Sequence, residues 1–204
     1  MHANFSGVVR GEAHNLILLD GRIAGVNTGL GVLQADQYVL AAGMQSRNLG
    51  RMVGLRLPIY PLKGYSLNAP IGPNHKAPDI SVTDFERKVL YARIGNHLRV
   101  AAMVDMVGED DSLDPVRVAS LLRIARATMP QAADYDQADP WAGLRPATPN
   151  SAPILGRTQH ANLWLNVGHG PLGFTFSCGS ASVLADLMRG RAPTIPLDGL
   201  LYRA

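Results

Sequence analysis

Two side chains stand where their surroundings suit ligand chemistry, Arg145 and His169. Arg145 lies between Leu144 and Pro146, close to Trp141, in a segment with the composition of a buried one. A buried guanidinium needs an anion, because leaving it unpaired is expensive. That anion is either an internal Asp or Glu or a substrate carboxylate gripped by two parallel N–H groups. His169 lies between Gly168 and Gly170, with Gly173 three residues on. It either bonds to backbone or touches a ligand on this glycine turn.

The elements around the turn define what it can do. The apolar Leu163, Trp164 and Leu165 read as a buried strand, and residues 181–188 read as a helix. Three glycines within six residues, Gly168, Gly170 and Gly173, let backbone approach a flat or anionic group without a Cβ in the way. A following helix offers free N–H groups and partial positive charge to an electron-rich edge. The same spacing also suits a plain tight turn with close helix–strand packing. The helix carries Phe176, Val183, Leu184 and Leu187 on one face and stops at Arg189-Gly190, with Pro193 beyond.

The rest of the chain reads as turn-rich α/β. Asp20-Gly21 between apolar runs at residues 16–26 signals a hairpin, and Gly29 to Gly31 a second turn. Residues 38–43 read as a buried strand ending in Gly43, then a short helix to about Met52. Residues 57–67 are extended, and Pro58 and Pro61 bias them to an edge or lead-in strand. Residues 70–78 read as a loop; residues 89–94 and 98–104 read as a hairpin across Gly95-Asn96. Asp114-Pro115 starts a helix whose apolar face is Val118, Leu121, Leu122, Ala125 and Met129. Residues 131–140 read as a polar loop, 141–146 as short extended chain, 147–153 as a connector and 154–156 as a short strand.

Composition narrows the function classes. The chain has 204 residues, 47% hydrophobic and 17% charged, which suits a globular protein with a sizeable core. Net charge is +3 and the basic residues are scattered, so no nucleic-acid footprint is visible. Cys178 is the single cysteine, so no internal disulfide forms. No run of about 18 apolar residues and no signal-peptide pattern is seen. No HExxH or CxxC points to a metal, no GxSxG to a serine hydrolase, no GxxxxGK to a nucleotide loop.

Residues 23–26 and 35–43, then 60–65, 141–146 and 168–173, follow one another in an order that resembles the C-terminal half of FAD-dependent D-amino acid dehydrogenases. Glycine oxidase and sarcosine oxidase are more distant members of that group. The resemblance implies that Arg145 binds the substrate carboxylate. It implies that Gly168, His169, Gly170, Leu172 and Gly173 lie against the flavin ring, with the backbone N–H groups of about Gly173, Phe174 and Thr175 facing its N1–C2=O edge. Gly43 would end the strand near the FAD phosphates and ribose. Tyr65 either lines the substrate pocket or packs.

The family's opening Gly-rich βαβ unit is not seen in this sequence, and Asn150-Ser151 stands where many relatives have Asp-Gly. The chain therefore reads as a fragment, a truncated frame or one piece of a split protein. The expected fold is mixed α/β. It has an incomplete FAD-binding domain (residues 1–56 and 146–204) and a substrate domain (57–145) with a mostly antiparallel sheet. The implied reaction is oxidative deamination of a D-amino acid to a 2-oxo acid and ammonia. The acceptor would be of quinone type, at a cytoplasmic site peripheral to the inner face of the plasma membrane. A missing N-terminal half or another subunit is the expected protein partner. Two other readings stay open: a non-catalytic, partner-binding remnant, and an amine oxidase of glycine or sarcosine type.

Overall fold

The structure is a computed structural model that describes residues 7–203. The chain divides into two units, residues 60–145 and the two flanking segments together.

The flanking unit opens with β1 (Ala13–Leu19), β2 (Arg22–Thr28) and β3 (Gly31–Leu33), an antiparallel sheet in that order. Asp20 (φ +47°) and Gly21 (φ +74°) close the first hairpin, the left-handed pair that a two-residue turn between right-twisted strands requires. A second sheet holds β4 (Tyr38–Leu40), β10 (Ile154–Arg157) and β11 (Leu163–Val167) in the order β10-β11-β4. The β11–β4 pair is parallel, Leu163 beside Tyr38 and Leu165 beside Leu40. Alternation puts Leu163, Leu165 and Val167 on one face. They pack with Tyr38, Leu40 and Leu49 of helix α1 (Gln45–Met52), together with Leu55, Leu57 and Ile59. Asn162 ties the hairpin to this core: its Oδ1 accepts from Ile23 N at 2.8 Å and its Nδ2 donates to Ile23 O at 2.9 Å.

The other unit is a five-stranded sheet under one helix. Its strands are β5 (Tyr60–Pro70), β6 (Val82–Asp84), β7 (Val89–Ile94), β8 (His97–Asp105) and β9 (Asp139–Ala147), in the order β6-β7-β8-β5-β9. The β6–β7, β7–β8 and β8–β5 pairs are antiparallel. Helix α2 (Pro115–Thr128) begins where Asp114 Oδ1 accepts from the amides of Val116 and Arg117 at 2.8 and 3.4 Å. Leu121 and Ala125 are buried, and Val118, Leu122 and Met129 pack beside them against Tyr65, Leu67, Val89, Tyr91, Leu98 and Val100. Fully burying each large apolar side chain contributes about 1.5–3 kcal/mol.

The mixed α/β class and the dominance of antiparallel pairing are as the sequence indicates; several details differ. Strand β5 is no edge: it runs between β8 and β9. Pro61 is tolerated because the ladder with β8 begins only at Lys63. Residues 131–140 are no polar loop, since Ala132, Ala133 and Tyr135 are core and β9 begins at Asp139. The final helix, α3 (Gly173–Met188), starts eight residues before Ala181, directly after a 3-10 turn at Gly170–Leu172. Strand β6 carried no apolar alternation strong enough to announce it.

Candidate functional site

Arg145 is near the C-terminal end of β9, the strand beside β5. Its side chain crosses β5 and reaches β8. Nη1 donates to the carbonyl of Met103 at 3.0 Å. The crossing lies over Gly64, where a Cβ would overlap the guanidinium at Nη2, Cζ and Nη1. Met103 has φ +69°. Strands β5 and β8 fall out of step there: Lys63 faces Asp105 and Tyr65 faces Ala102, so two steps on β5 match three on β8. The extra residue is a β-bulge, and it turns the Met103 carbonyl out of the ladder toward the arginine. Among the described residues no ion pair involves Arg145, so the internal Asp or Glu partner that the sequence left open is not found. Burial lowers its pKa from the ordinary value, the direction expected of a cation without an anion.

Tyr65 is 2% exposed and belongs to the core under α2. Of its two readings, packing is the one its surroundings match. Its neighbour Lys63, also 2% exposed, is held by Asp110. The face of the sheet away from α2 carries further structure that the sequence did not reveal. The Trp141 ring lies on Gly143, where a Cβ would overlap it, and the Arg99 guanidinium sits 5.7 Å from the centre of that ring. Arg99 also donates to Ser66 Oγ at 3.2 Å. Glycines inside strands, Gly64 and Gly143, were the available signal, because such glycines mark close approach of another group.

The glycine turn belongs to the flanking unit. Gly168 (φ +77°) directly follows β11, and a Cβ there would lie 2.6 Å from Thr148 Cγ2. Gly170 (φ +55°) also needs the left-handed region, whereas Gly173 is helical. His169 opens the 3-10 turn, and Leu172 N donates to its carbonyl at 3.2 Å. Helix α3 then starts at Gly173 with no side-chain cap, and Phe174 on its first turn is 96% exposed. Thr175 and Leu172 are exposed as well. The buried atoms Asn166 Oδ1 and His169 Nε2 have no hydrogen-bond partner among the described residues. Burial lowers the His169 pKa, which keeps the ring neutral at neutral pH. The strand expected over residues 38–43 stops at Leu40, so Gly43 (φ +56°) does not end it but stands three residues on, in the turn before α1, with open space where a Cβ would be. Next to it, Ala42 N donates to Ser46 Oγ at 2.9 Å.

Residues 7–187 match the protein-family model described as FAD dependent oxidoreductase. The chain belongs to this family. Among the curated relatives of this chain is D-amino acid dehydrogenase 2 of Pseudomonas aeruginosa. It is 54% identical over 181 residues, which is 89% of this chain and 43% of that protein. D-amino acid dehydrogenase of Paramagnetospirillum magneticum is 51% identical over 185 residues, 90% of this chain and 44% of that protein. The chain thus spans less than half the length of these relatives. A crystal structure of glycine oxidase from Geobacillus kaustophilus shares the fold with TM-score 0.79 at 24% identity, covering 95% of this chain and 52% of the other.

The family is FAD-dependent, and the turn fits such a cofactor. A flavin edge carries both hydrogen-bond donors and acceptors, which is what an orphaned amide oxygen, an orphaned imidazole nitrogen and an uncapped helix start require. Glycine-lined backbone leaves room for a flat ring. Among the described residues no three His, Cys, Asp or Glu side chains are placed to hold a metal, and no helix is long and apolar enough to cross a membrane.

Proposed function

We propose that the protein containing this chain deaminates D-amino acids oxidatively, through an imino acid that water converts to a 2-oxo acid and ammonia. The observation that carries this reading is the state of Arg145: a half-buried guanidinium held by one carbonyl, with no carboxylate of the described residues beside it. Such a group is built to take a carboxylate from outside, bidentately. Relatives at 45–54% identity that bear the name D-amino acid dehydrogenase support the substrate class.

In this reading Arg145 fixes the substrate by its carboxylate and so limits how its Cα–H bond can be presented. Gly168, His169, Gly170, Leu172, Gly173, Phe174 and Thr175 hold the flavin ring, and Gly43 stands near the phosphate and ribose part. The start of α3 favours negative charge at the ring edge it faces. Bound FAD supplies the hydride acceptor that no amino-acid side chain provides. A quinone-type final acceptor and a cytoplasmic site, peripheral at the inner face of the plasma membrane, accompany the reading on the strength of the family resemblance.

The test is a stereochemical assay of the FAD-loaded enzyme that contains this sequence. D-alanine and L-alanine are supplied with an artificial dye acceptor, with and without oxygen. The expected result is dye reduction with equal amounts of pyruvate and ammonia from the D-isomer alone. Equal turnover of the L-isomer, or peroxide release without dye reduction, overturns it.

A further inference from the structure

The geometry points to Gly64 and the bulge at Met103 as positioning residues, which aim the guanidinium of Arg145 at a carboxylate. The inference rests on the proposed role of Arg145. Three observations meet at one place. The arginine starts from β9 and must cross β5 to reach β8. It crosses where β5 has no side chain, and even a methyl group there would overlap Nη2, Cζ and Nη1. It ends on a carbonyl freed from the ladder by a bulge whose residue, Met103, has φ +69°. A non-glycine residue in the left-handed region is uncommon and costs free energy, so the strain is held in place by its surroundings.

The consequence is orientation. A guanidinium carries five N–H donors in a rigid plane. One is spent on the Met103 carbonyl at 3.0 Å. Contact with the Gly64 backbone limits tilting of the plane, as a flat surface limits a plate laid on it. The N–H groups directed away from Met103 are then presented as a fixed pair, which is the geometry a carboxylate takes bidentately. With a methyl at residue 64 the guanidinium is lifted or swung aside. The charge remains and the aim is lost.

The experiment uses the FAD-loaded enzyme containing this sequence, with propionate as probe, a carboxylate that lacks the amino group. Its dissociation constant is read by calorimetry, beside kcat and KM for D-alanine. Gly64→Ala is expected to weaken propionate and raise KM together, by roughly tenfold to a hundredfold, with the flavin absorbance unchanged. Met103→Val, a β-branched residue at a positive φ, should give the same pattern, and Met103→Gly should restore tight binding. Adding Gly64→Ala to Arg145→Ala should change nothing further, because the two act as one unit. Unchanged propionate binding in Gly64→Ala overturns the inference. So does a loss of kcat alone, or a further loss in the double variant.

If Gly64→Ala does not fold, the double variant with Arg145→Ala decides. Recovery of folding shows that the glycine makes room for the arginine; continued failure shows that it serves the sheet, and the inference falls. If Arg145→Ala itself leaves propionate binding and KM unchanged, the carboxylate role of Arg145 fails first, a result separate from any of Gly64.

Discussion

Lys63 Nζ donates to Asp110 Oδ2 at 3.0 Å, from a side chain only 2% exposed to one that is 52% exposed. A nearly buried ammonium is thus neutralised by a carboxylate at the surface of its own unit. Hydrogen bonds from Ser112, first, and from Lys63 hold Asp110 down to about 2 from its ordinary 3.8. A depressed acid contributes stability that is fully present above its unfolded value and is lost as pH falls through the folded one. Unfolding by urea should therefore show a loss of stability from about pH 4 to pH 2. Asp110→Asn should flatten that limb and lower stability at pH 7, where the lysine loses its counter-charge. An unaltered acid limb in Asp110→Asn would assign it to other carboxylates.

Tyr135 gives the opposite limb. Burial, foremost, raises its pKa from 10.0 to about 12, and its hydroxyl donates to the Met129 carbonyl at 2.9 Å. A group raised on folding contributes stability that is complete below its unfolded value and lost as pH climbs through the folded one. Stability should fall between about pH 10 and pH 12. Tyr135→Phe should make that fall shallower and cost about 1 kcal/mol at neutral pH for the lost hydrogen bond. Denaturant melts at pH 7 and pH 11 measure both effects.

Gly168 is the most constrained glycine of the turn, with φ +77° and Thr148 Cγ2 at 2.6 Å from any Cβ. Gly168→Ala meets both strain and overlap, about 1–3 kcal/mol each. Thermal melts should fall and FAD binding should weaken. Thr148→Ser removes the offending methyl while the hydroxyl bond to the Ala152 carbonyl, 2.7 Å, is kept. In the Gly168→Ala background it should recover the overlap part and leave the backbone strain. No recovery would place the whole cost in the backbone.

Arg145→Ala should lower kcat/KM for D-alanine by roughly a hundredfold or more, mainly through KM, since truncating a half-buried charge that grips a carboxylate costs about 2–5 kcal/mol. Arg145→Lys keeps the charge but not the planar fork, so it should recover little. Steady-state kinetics at saturating dye decide, and an unchanged KM in Arg145→Ala would remove the residue from the substrate site.

Local signals reached the elements whose cause is local. The Asp20-Gly21 hairpin, the Asp114-Pro115 helix start and the apolar face of α2 all rest on residues within a few positions of one another. The glycine turn before α3 was legible for the same reason: a left-handed φ at residues 168 and 170 calls for glycine in the sequence itself. The order of motifs pointed to the family, which the match over residues 7–187 shows.

What the chain could not announce depends on pairing across distance. Strand β5 looked like an edge because its prolines were visible and its pairing with β9 was not; 68 residues lie between their ends, Pro70 and Asp139. Tyr135 sits in a run that composition marks as loop, yet it is 4% exposed because the helix and sheet close over it. The setting of Arg145 is the sharpest case. Its sequence neighbours marked the arginine as needing an anion, but the guanidinium is placed by Gly64 and Met103, 81 and 42 residues away. By itself the sequence determined which residues carry charge, which turns must be glycine and which faces are apolar. Only the tertiary structure decided that β9 lies beside β5, and so that an arginine on one strand rests on a glycine of the next. Strand order is set by burial summed over the whole sheet, and no local window contains that sum.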